Sequence, residues 1–228
     1  MNIADYLDRI GYAGRREPTF ETLSGLHRAH MLSVPFENLD IHLGRKLVLD
    51  RAANFEKIVG RRRGGWCYEQ NGLFGWVLEQ LGFRVTLLGA RVVGEREGRE
   101  LGHLMLRVDL DRPWLADVGF GESSLVPLPL GDEPRQVIES GGMRREFSLT
   151  PRRLEEFAEM CEYSQTSPDI SFTQRRLCTL ATETGRITLT DLRLVERDGD
   201  DVAERELSGE DEWRDVLRER FGVDLEPG

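Results

Sequence analysis

Apolar residues early in the chain recur at helical spacing. Ile3, Tyr6, Leu7 and Ile10 fall on one stripe that ends near Gly11. Pro18-Thr19 opens a second segment with Phe20, Leu23, Leu26 and His27 on one face, and Pro35 stops it. Phe55, Ile58 and Val59 predict a third, short helix running to Gly64-Gly65, two glycines expected to turn the chain sharply. Cys67 then opens a helix on which Phe74, Val77, Leu78 and Leu81 repeat, with Gly82 as its stop.

After Gly82 the period falls to two. Residues 83–93, 103–110 and 114–118 read as strands, joined by the charged stretch Glu95 to Glu100 and by Asp111-Arg112-Pro113. Links this short imply antiparallel neighbours. Gln136 to Ser148 holds Gly141-Gly142 between two short candidates and predicts a hairpin. Residues 152–160 suit a turn or two of helix. Strands follow at 177–181, 185–190, 192–197 and 202–207, with turn signals at Gly185 and Asp198-Gly199. A final helix, capped by Ser208 and stopped by Gly222, places Trp213, Val216, Leu217 and Phe221 on one face. Helices, then antiparallel strands, then a helix make an α+β fold.

Composition narrows the function. At 228 residues, 39% hydrophobic and 32% charged, the chain has enough material for a substantial core and reads as globular. Its formal net charge of −10 argues against nucleic acid or an anionic membrane as main partner. An acidic protein that binds an anion must gather cations locally, and Arg61, Arg62 and Arg63 beside Cys67 are such a gathering or else a solvated loop. The three cysteines, Cys67, Cys161 and Cys178, form neither a disulfide framework nor a CxxC zinc pattern, so no metal is expected. They point to a reducing compartment. No apolar run approaches a membrane span, and the charged N-terminus has no signal-like core, so a cytoplasmic location is expected.

The chemistry centres on Cys67. A thiol in the first turn of a helix sits near unpaired N–H groups and the positive end of the dipole, both of which favour thiolate. A small core residue would fit the same place. A cysteine nucleophile needs a base, and the base an orienting acceptor. Of four histidines, His27 and His30 lie in an N-terminal helix and His42 near a loop end, whereas His103 begins a strand. The neighbouring strand carries Asp117 between Ala116 and Val118, costly to bury unless paired. Cys67, His103 and Asp117 thus form a candidate triad. By spacing alone, a strand-end histidine and a turn aspartate before Gly119 remain an equal reading.

The chain resembles the arylamine N-acetyltransferases over nearly its whole length. The resemblance rests on Arg9-Ile10-Gly11-Tyr12, on Val34-Pro35-Phe36-Glu37-Asn38-Leu39, on Arg63-Gly64-Gly65-Trp66-Cys67-Tyr68-Glu69 with Asn71, and on Asp117-Val118-Gly119-Phe120-Gly121. Phe172-Thr173, Leu180-Ala181-Thr182, Gly185 to Leu189 and Leu217 to Gly222 extend it. It implies a helical bundle over residues 1–82, an antiparallel β-barrel over 83–150 and an α/β lid over 151–228, around a cysteine-protease-like core. It also implies the same triad and ping-pong transfer of an acetyl group from acetyl-CoA, through an acetyl-cysteine, to an arylamine or hydrazine. Acetyl-CoA is then a co-substrate, and no cofactor is permanently bound.

Further roles carry over by position. Phe36, Phe120 and Phe172 match the aromatic lining of the acceptor pocket. Gly119 and Gly121 would let the backbone approach the CoA pyrophosphate, and Glu37 and Arg63 match a charged pair that braces the nucleophile. Cys161 and Cys178 read as packing residues. Two departures stand out. Family members usually carry Pro-x-Thr-His before the histidine, where this chain has Glu100-Leu101-Gly102-His103. The chain is also short for the family, with the shortfall expected between Pro129 and Phe147. A more open pocket would suit an amide synthase that closes a macrolactam from a bulkier acyl donor. A thiol hydrolase and a non-catalytic binding module are the remaining alternatives.

Overall fold

Helices form over the four stretches where helical spacing predicts them, the third as a short helix continued by a π-helical turn. In the computed structural model, which describes residues 1–94 and 98–225, α1 (Ile3–Arg9) and α2 (Phe20–Ser33) are capped by the side-chain oxygens of Asn2 and Thr19. Two short elements that carry no legible period follow, β1 (Phe36–Glu37) and the single turn α3 (Leu39–His42). Helix α4 (Arg51–Phe55) runs into a π-helical turn over Glu56–Gly60. Helix α5 (Cys67–Gln80) ends before Gly82, whose φ is 87°.

A curled antiparallel sheet comes next, formed by β2 (Arg84–Val93), β3 (His103–Asp109), β4 (Pro113–Ala116), β5 (Leu128–Pro129), β6 (Arg135–Ser140) and β7 (Met143–Ser148). Its order is β5-β4-β3-β2-β7-β6. It is the half-barrel form of the expected barrel. The Gly141-Gly142 hairpin joins β6 to β7, both glycines at positive φ. Of the link expected at 95–100, residues 95–97 lie outside the described residues. Strand β4 stops at Ala116 instead of reaching Val118. Beyond it the backbone turns to side chains: Asp117 N–H donates to His27 Nε2 at 3.2 Å and Val118 N–H to Asn71 Oδ1 at 2.9 Å.

A 3₁₀ turn (Leu154–Phe157), α6 (Ala158–Thr166) and the single turn α7 (Ser171–Gln174) lead to a second sheet. It holds β8 (Leu177–Ala181), β9 (Gly185–Thr190), β10 (Arg193–Asp198) and β11 (Asp201–Glu206), in the order β1-β8-β9-β10-β11. Phe36 pairs with Thr179 and Glu37 with Cys178, so the N-terminal part lends the C-terminal sheet an edge strand. Helix α8 (Glu210–Phe221) covers this sheet with Trp213, Val216, Leu217 and Phe221, the face read from the sequence. Its cap is Gly209, not Ser208; the Ser208 N–H and hydroxyl both bond Glu212 Oε2 instead.

Helix α5 runs through the centre. Leu73, Phe74, Val77 and Leu78 are fully buried against Leu23 and Leu26 of α2 and against Leu106, Val108 and Ala116 of the curled sheet. Fully burying a side chain of this size stabilises by roughly 1.5–3 kcal/mol. The chain enters α5 past Gly64 and Gly65, but neither supplies the turn: the left-handed residue is Arg62, at φ 52°. Gly64 is needed for proximity, since a Cβ there would lie 2.1 Å from the Pro35 carbonyl oxygen. That contact lets Gly65 N–H donate to Pro35 O and Glu37 N–H to Gly65 O, binding β1 to the start of α5.

A buried charge cluster secures the same junction. Arg63 donates to Glu37 Oε1 from Nε at 3.0 Å and Nη2 at 2.7 Å. Lys57 Nζ donates to both Glu69 oxygens, at 2.9 and 3.0 Å, and lies 3.0 Å from Asp40 Oδ2. Burial pulls Lys57 toward its neutral form, but Glu37, Glu69 and Asp40 outweigh it and hold the ammonium charged. Arg63 is therefore committed to carboxylates, while Arg61 and Arg62 are exposed, in keeping with the solvated-loop reading of that run.

His30 is a core histidine. Nδ1 accepts from the Tyr6 hydroxyl at 2.6 Å and Nε2 donates to Gln70 Oε1 at 2.9 Å. Burial pulls its imidazole down to about 3, and that of His27 to about 4. The unfolded chain takes up these protons near pH 6.5 while the folded chain does not, so their contribution to stability is full above pH 6.5 and is lost on acidification. Urea denaturation is expected to show this loss from pH 6.5 downward, and His30→Gln to flatten it by about 1.4 kcal/mol per pH unit, one proton's share. At neutral pH, Arg63→Ala should cost about 3–5 kcal/mol in the same measurement, because it leaves Glu37 and Asp40 short of a cation.

Candidate active site

Three elements deliver the candidate triad. Cys67 is the first residue of α5 and 5% exposed. Trp66 supplies no side-chain cap to that turn; the Glu69 carboxylate accepts from the Trp66 N–H, at 3.0 Å. His103 is the first residue of β3, paired with Ala90. The preceding Leu101 turns at φ 60°, its carbonyl accepting from the Tyr68 hydroxyl at 2.8 Å. Asp117 stands just past β4.

His103 Nε2 lies 2.8 Å from Asp117 Oδ2, both groups buried. Burial by itself pushes the Asp117 carboxyl up; His103, then Arg145 and Asn71, outweigh it and hold the group well below the usual carboxylate range. An ionised carboxylate only accepts, so Nε2 carries the imidazole proton and Nδ1 is left with the lone pair. Asn71, one turn after Cys67, ties the parts together. Its Nδ2 donates to Leu104 O at 2.7 Å and to Asp117 Oδ1 at 2.8 Å. Gly119 completes the contact: a Cβ on it would lie 2.8 Å from Cys67 Cα and 2.8 Å from Asn71 Nδ2. His103, at the start of its strand, and Asp117, in the turn after β4, are therefore buried and paired with each other rather than half-exposed.

The sulfur differs from expectation. Burial pushes the Cys67 thiol up and the Asp117 charge adds to this, while backbone hydrogen bonds at Leu104 and Tyr68 act the other way without prevailing. Desolvation of a sulfur with so little exposure exceeds what the helix N-terminus offers.

The aromatic candidates fall into two groups. Phe36 and Phe172 pack 5.9 Å apart, and Phe172 meets Trp66 at 6.0 Å, within the cluster that holds Cys67. Phe120 stands separately, edge-on to the His103 ring at 5.1 Å. Gly121, at φ 84°, brings the 119–121 turn up to Phe36 and Thr179. Cys161 and Cys178 are buried in packing clusters. Among the described residues no group of His, Cys, Asp and Glu is arranged to hold a metal ion.

A family model described as N-acetyltransferase matches residues 19–146 and 143–228. The chain belongs to the arylamine N-acetyltransferase family. It is 33% identical to the pineal gland isozyme NAT-3 of Gallus gallus over 276 residues, covering 99% of this chain and 95% of that one. The arylamine N-acetyltransferase structure from M. tuberculosis superposes with a TM-score of 0.89 at 30% identity, over 97% of this chain and 94% of the other. The Mycobacterium marinum arylamine N-acetyltransferase in complex with CoA gives 0.89 at 30% identity, over 97% and 93%. An alignment of 276 residues against the 228 of this chain means that relatives carry positions it lacks. The two matched stretches meet at 143–146, within β7, inside the window where the shortfall was expected.

Two side chains at the site escaped sequence reading. Asn71 was named only within the motif that carries the resemblance, with no role given to it. Arg145 was not singled out, though its position was informative: on β7 it shares a face with Met143 and Phe147, and a charge on an apolar strand face signals a buried partner. For Gly119 the prediction is a steric one. Gly119→Ala should reduce activity at least about 10²-fold by displacing Cys67 from its partners, measured as kcat/KM on folded protein.

Proposed function

We propose that this enzyme transfers an acetyl group from acetyl-CoA to an arylamine or hydrazine by a ping-pong route through Cys67. The observation that carries the reading is the buried His103–Asp117 pair, tied through Asn71 to the first turns of the helix that Cys67 opens, in a chain of this family. The CoA complex of a relative supports the donor, and the names of the relatives support the acceptor.

His103 Nδ1 takes the Cys67 proton as the sulfur attacks the thioester carbonyl. Collapse of the tetrahedral adduct expels the CoA sulfur, which receives that proton from the imidazolium, leaving S-acetyl-Cys67. The amine nitrogen then attacks the acetyl carbon and gives a proton to Nδ1. The Cys67 sulfur leaves and regains it. Asp117 orients the ring throughout and stabilises its charged form. Burial of Cys67, His103 and Asp117 limits water, whose attack would waste the acyl group.

Phe36 and Phe172, with Phe120 across the site, are the candidate lining for the acceptor, and Gly119 with Gly121 for the approach of CoA. Glu37 and Arg63 brace the entry to α5. The division into 1–82, 83–150 and 151–228 is retained with β1 shared between the first and last parts. A cytoplasmic setting accords with three free thiols and with the lack, among the described residues, of any helix long and apolar enough to cross a membrane.

The positions this chain lacks favour one variation, a bulkier acyl thioester as donor. Intact-mass measurement after mixing with acetyl-CoA is expected to show one added acetyl group, mapped to Cys67 and absent in Cys67→Ala. His103→Ala should slow its appearance at least about 10²-fold. A wild type that stays unacetylated but is acylated by a long-chain thioester would shift the assignment to an amide synthase. Hydrolysis of a generic peptide would shift it to a hydrolase, and inertness of Cys67 toward iodoacetamide to a binding module.

A further inference from the structure

We propose that Arg145 is a positioning residue for acyl transfer, its guanidinium fixing the Asp117 carboxylate through the oxygen that holds His103 and packing Phe120 onto the imidazole. The proposal rests on the triad assignment made above. Arg145 Nη1 donates to Asp117 Oδ2 at 2.5 Å, the oxygen that accepts from His103 Nε2. The guanidinium also lies over the Phe120 ring, 4.1 Å from its centroid, and Phe120 meets His103 edge-on. Ser123 Oγ accepts from Nη1 at 3.1 Å and Ser140 Oγ from Nη2 at 2.9 Å, so both terminal nitrogens are aimed.

Packing alone does not explain this residue. Arg145 is 2% exposed and its Nε has no hydrogen-bond partner among the described residues. A buried guanidinium is costly, and an apolar side chain filling the space between Met143 and Phe147 would cost less. Nor is it required to keep Asp117 paired, because His103, Asn71 and the Gly119 N–H already bond that carboxylate. What Arg145 adds is a fixed positive charge and a fixed plane. With Oδ1 held by Asn71 and Oδ2 by Arg145, the carboxylate cannot rotate, and the acceptor for His103 stays in one place.

The charge has a consequence that can be read in solution. The titratable and charged groups facing this carboxylate are His103 from β3, Arg145 from β7, Cys67 from α5, and His27 from α2, which burial keeps neutral above about pH 4. Glu122, beside Ser123, is turned to Arg186 at 3.5 Å. Removing a buried cation raises the proton affinity of every group near it. The acid limb of the activity profile must then move to higher pH.

The test compares Arg145→Gln and Arg145→Lys with the wild type, each melted to establish folding, by the pH dependence of Cys67 acetylation by acetyl-CoA. Arg145→Gln is expected to move the acid limb up by about half a pH unit or more, and Arg145→Lys, which keeps the charge, to leave it in place. An acid limb in Arg145→Gln coincident with the wild type overturns the proposal. If that variant does not fold, the double variant Ser123→Ala/Ser140→Ala carries the test. Freed from its two hydroxyl partners, the guanidinium should cost about threefold or more in kcat with KM for acetyl-CoA unchanged, and an unchanged kcat overturns it. The same profiles are read by iodoacetamide alkylation of Cys67, which needs no acyl donor. Failure of the wild type to acetylate thus sinks the proposed function while leaving the role of Arg145 still tested.

Discussion

A carboxylate sealed away from water must be given partners, and the pairing of Asp117 organises this molecule. Its two oxygens receive His103 from β3, Asn71 from α5, Arg145 from β7 and the N–H of Gly119, while its own N–H reaches His27 on α2. Three separate elements are thus fastened to one side chain, and a fourth to the backbone of the same residue. Leaving such a charge unpaired would cost several kcal/mol, so folding of the curled sheet onto α5 and assembly of the site are one event. This is also why β4 ends early: past Ala116 the backbone groups serve side chains from two helices.

The other end of the site is held by a different device. Where α5 begins, Gly64 lies against the Pro35 carbonyl and Glu37, Asp40, Lys57, Arg63 and Glu69 form a network closed to solvent. Three carboxylates share two cations, and Glu69, pushed up by burial and only partly relieved by Lys57, is the least comfortable of them. Yet Glu69 also accepts from the Trp66 N–H at the start of α5. The position of Cys67 is therefore set by electrostatics on one side and by the Gly119 approach on the other, with little freedom between.

Much of this was legible in residues. Helical spacing located α1, α2, α5 and α8, alternation located both sheets, and the need of Asp117 for a partner pointed to His103. Short elements were not legible, because β1, α3 and α7 span too few residues to show a period. The glycines at 64 and 65 were read as a turn because sequence cannot distinguish freedom of φ from lack of a side chain; here the second property matters. Within the Arg61–Arg63 run nothing distinguishes Arg63, which is buried because its carboxylate partners Glu37 and Asp40 come from an earlier segment of the chain. The thiolate expectation weighed a local dipole without the burial that the whole fold imposes.

Arg145 and Asn71 belong together as a consequence of topology. A papain-like constellation needs an acceptor that keeps the imidazole from turning, and here that acceptor is itself clamped from two sides. Asn71 holds Oδ1 through a neutral amide rooted one turn from Cys67, so any displacement of α5 is felt at the partner of His103. Arg145 holds Oδ2 through a charged fork rooted on β7, the strand at which the two family-matched stretches meet.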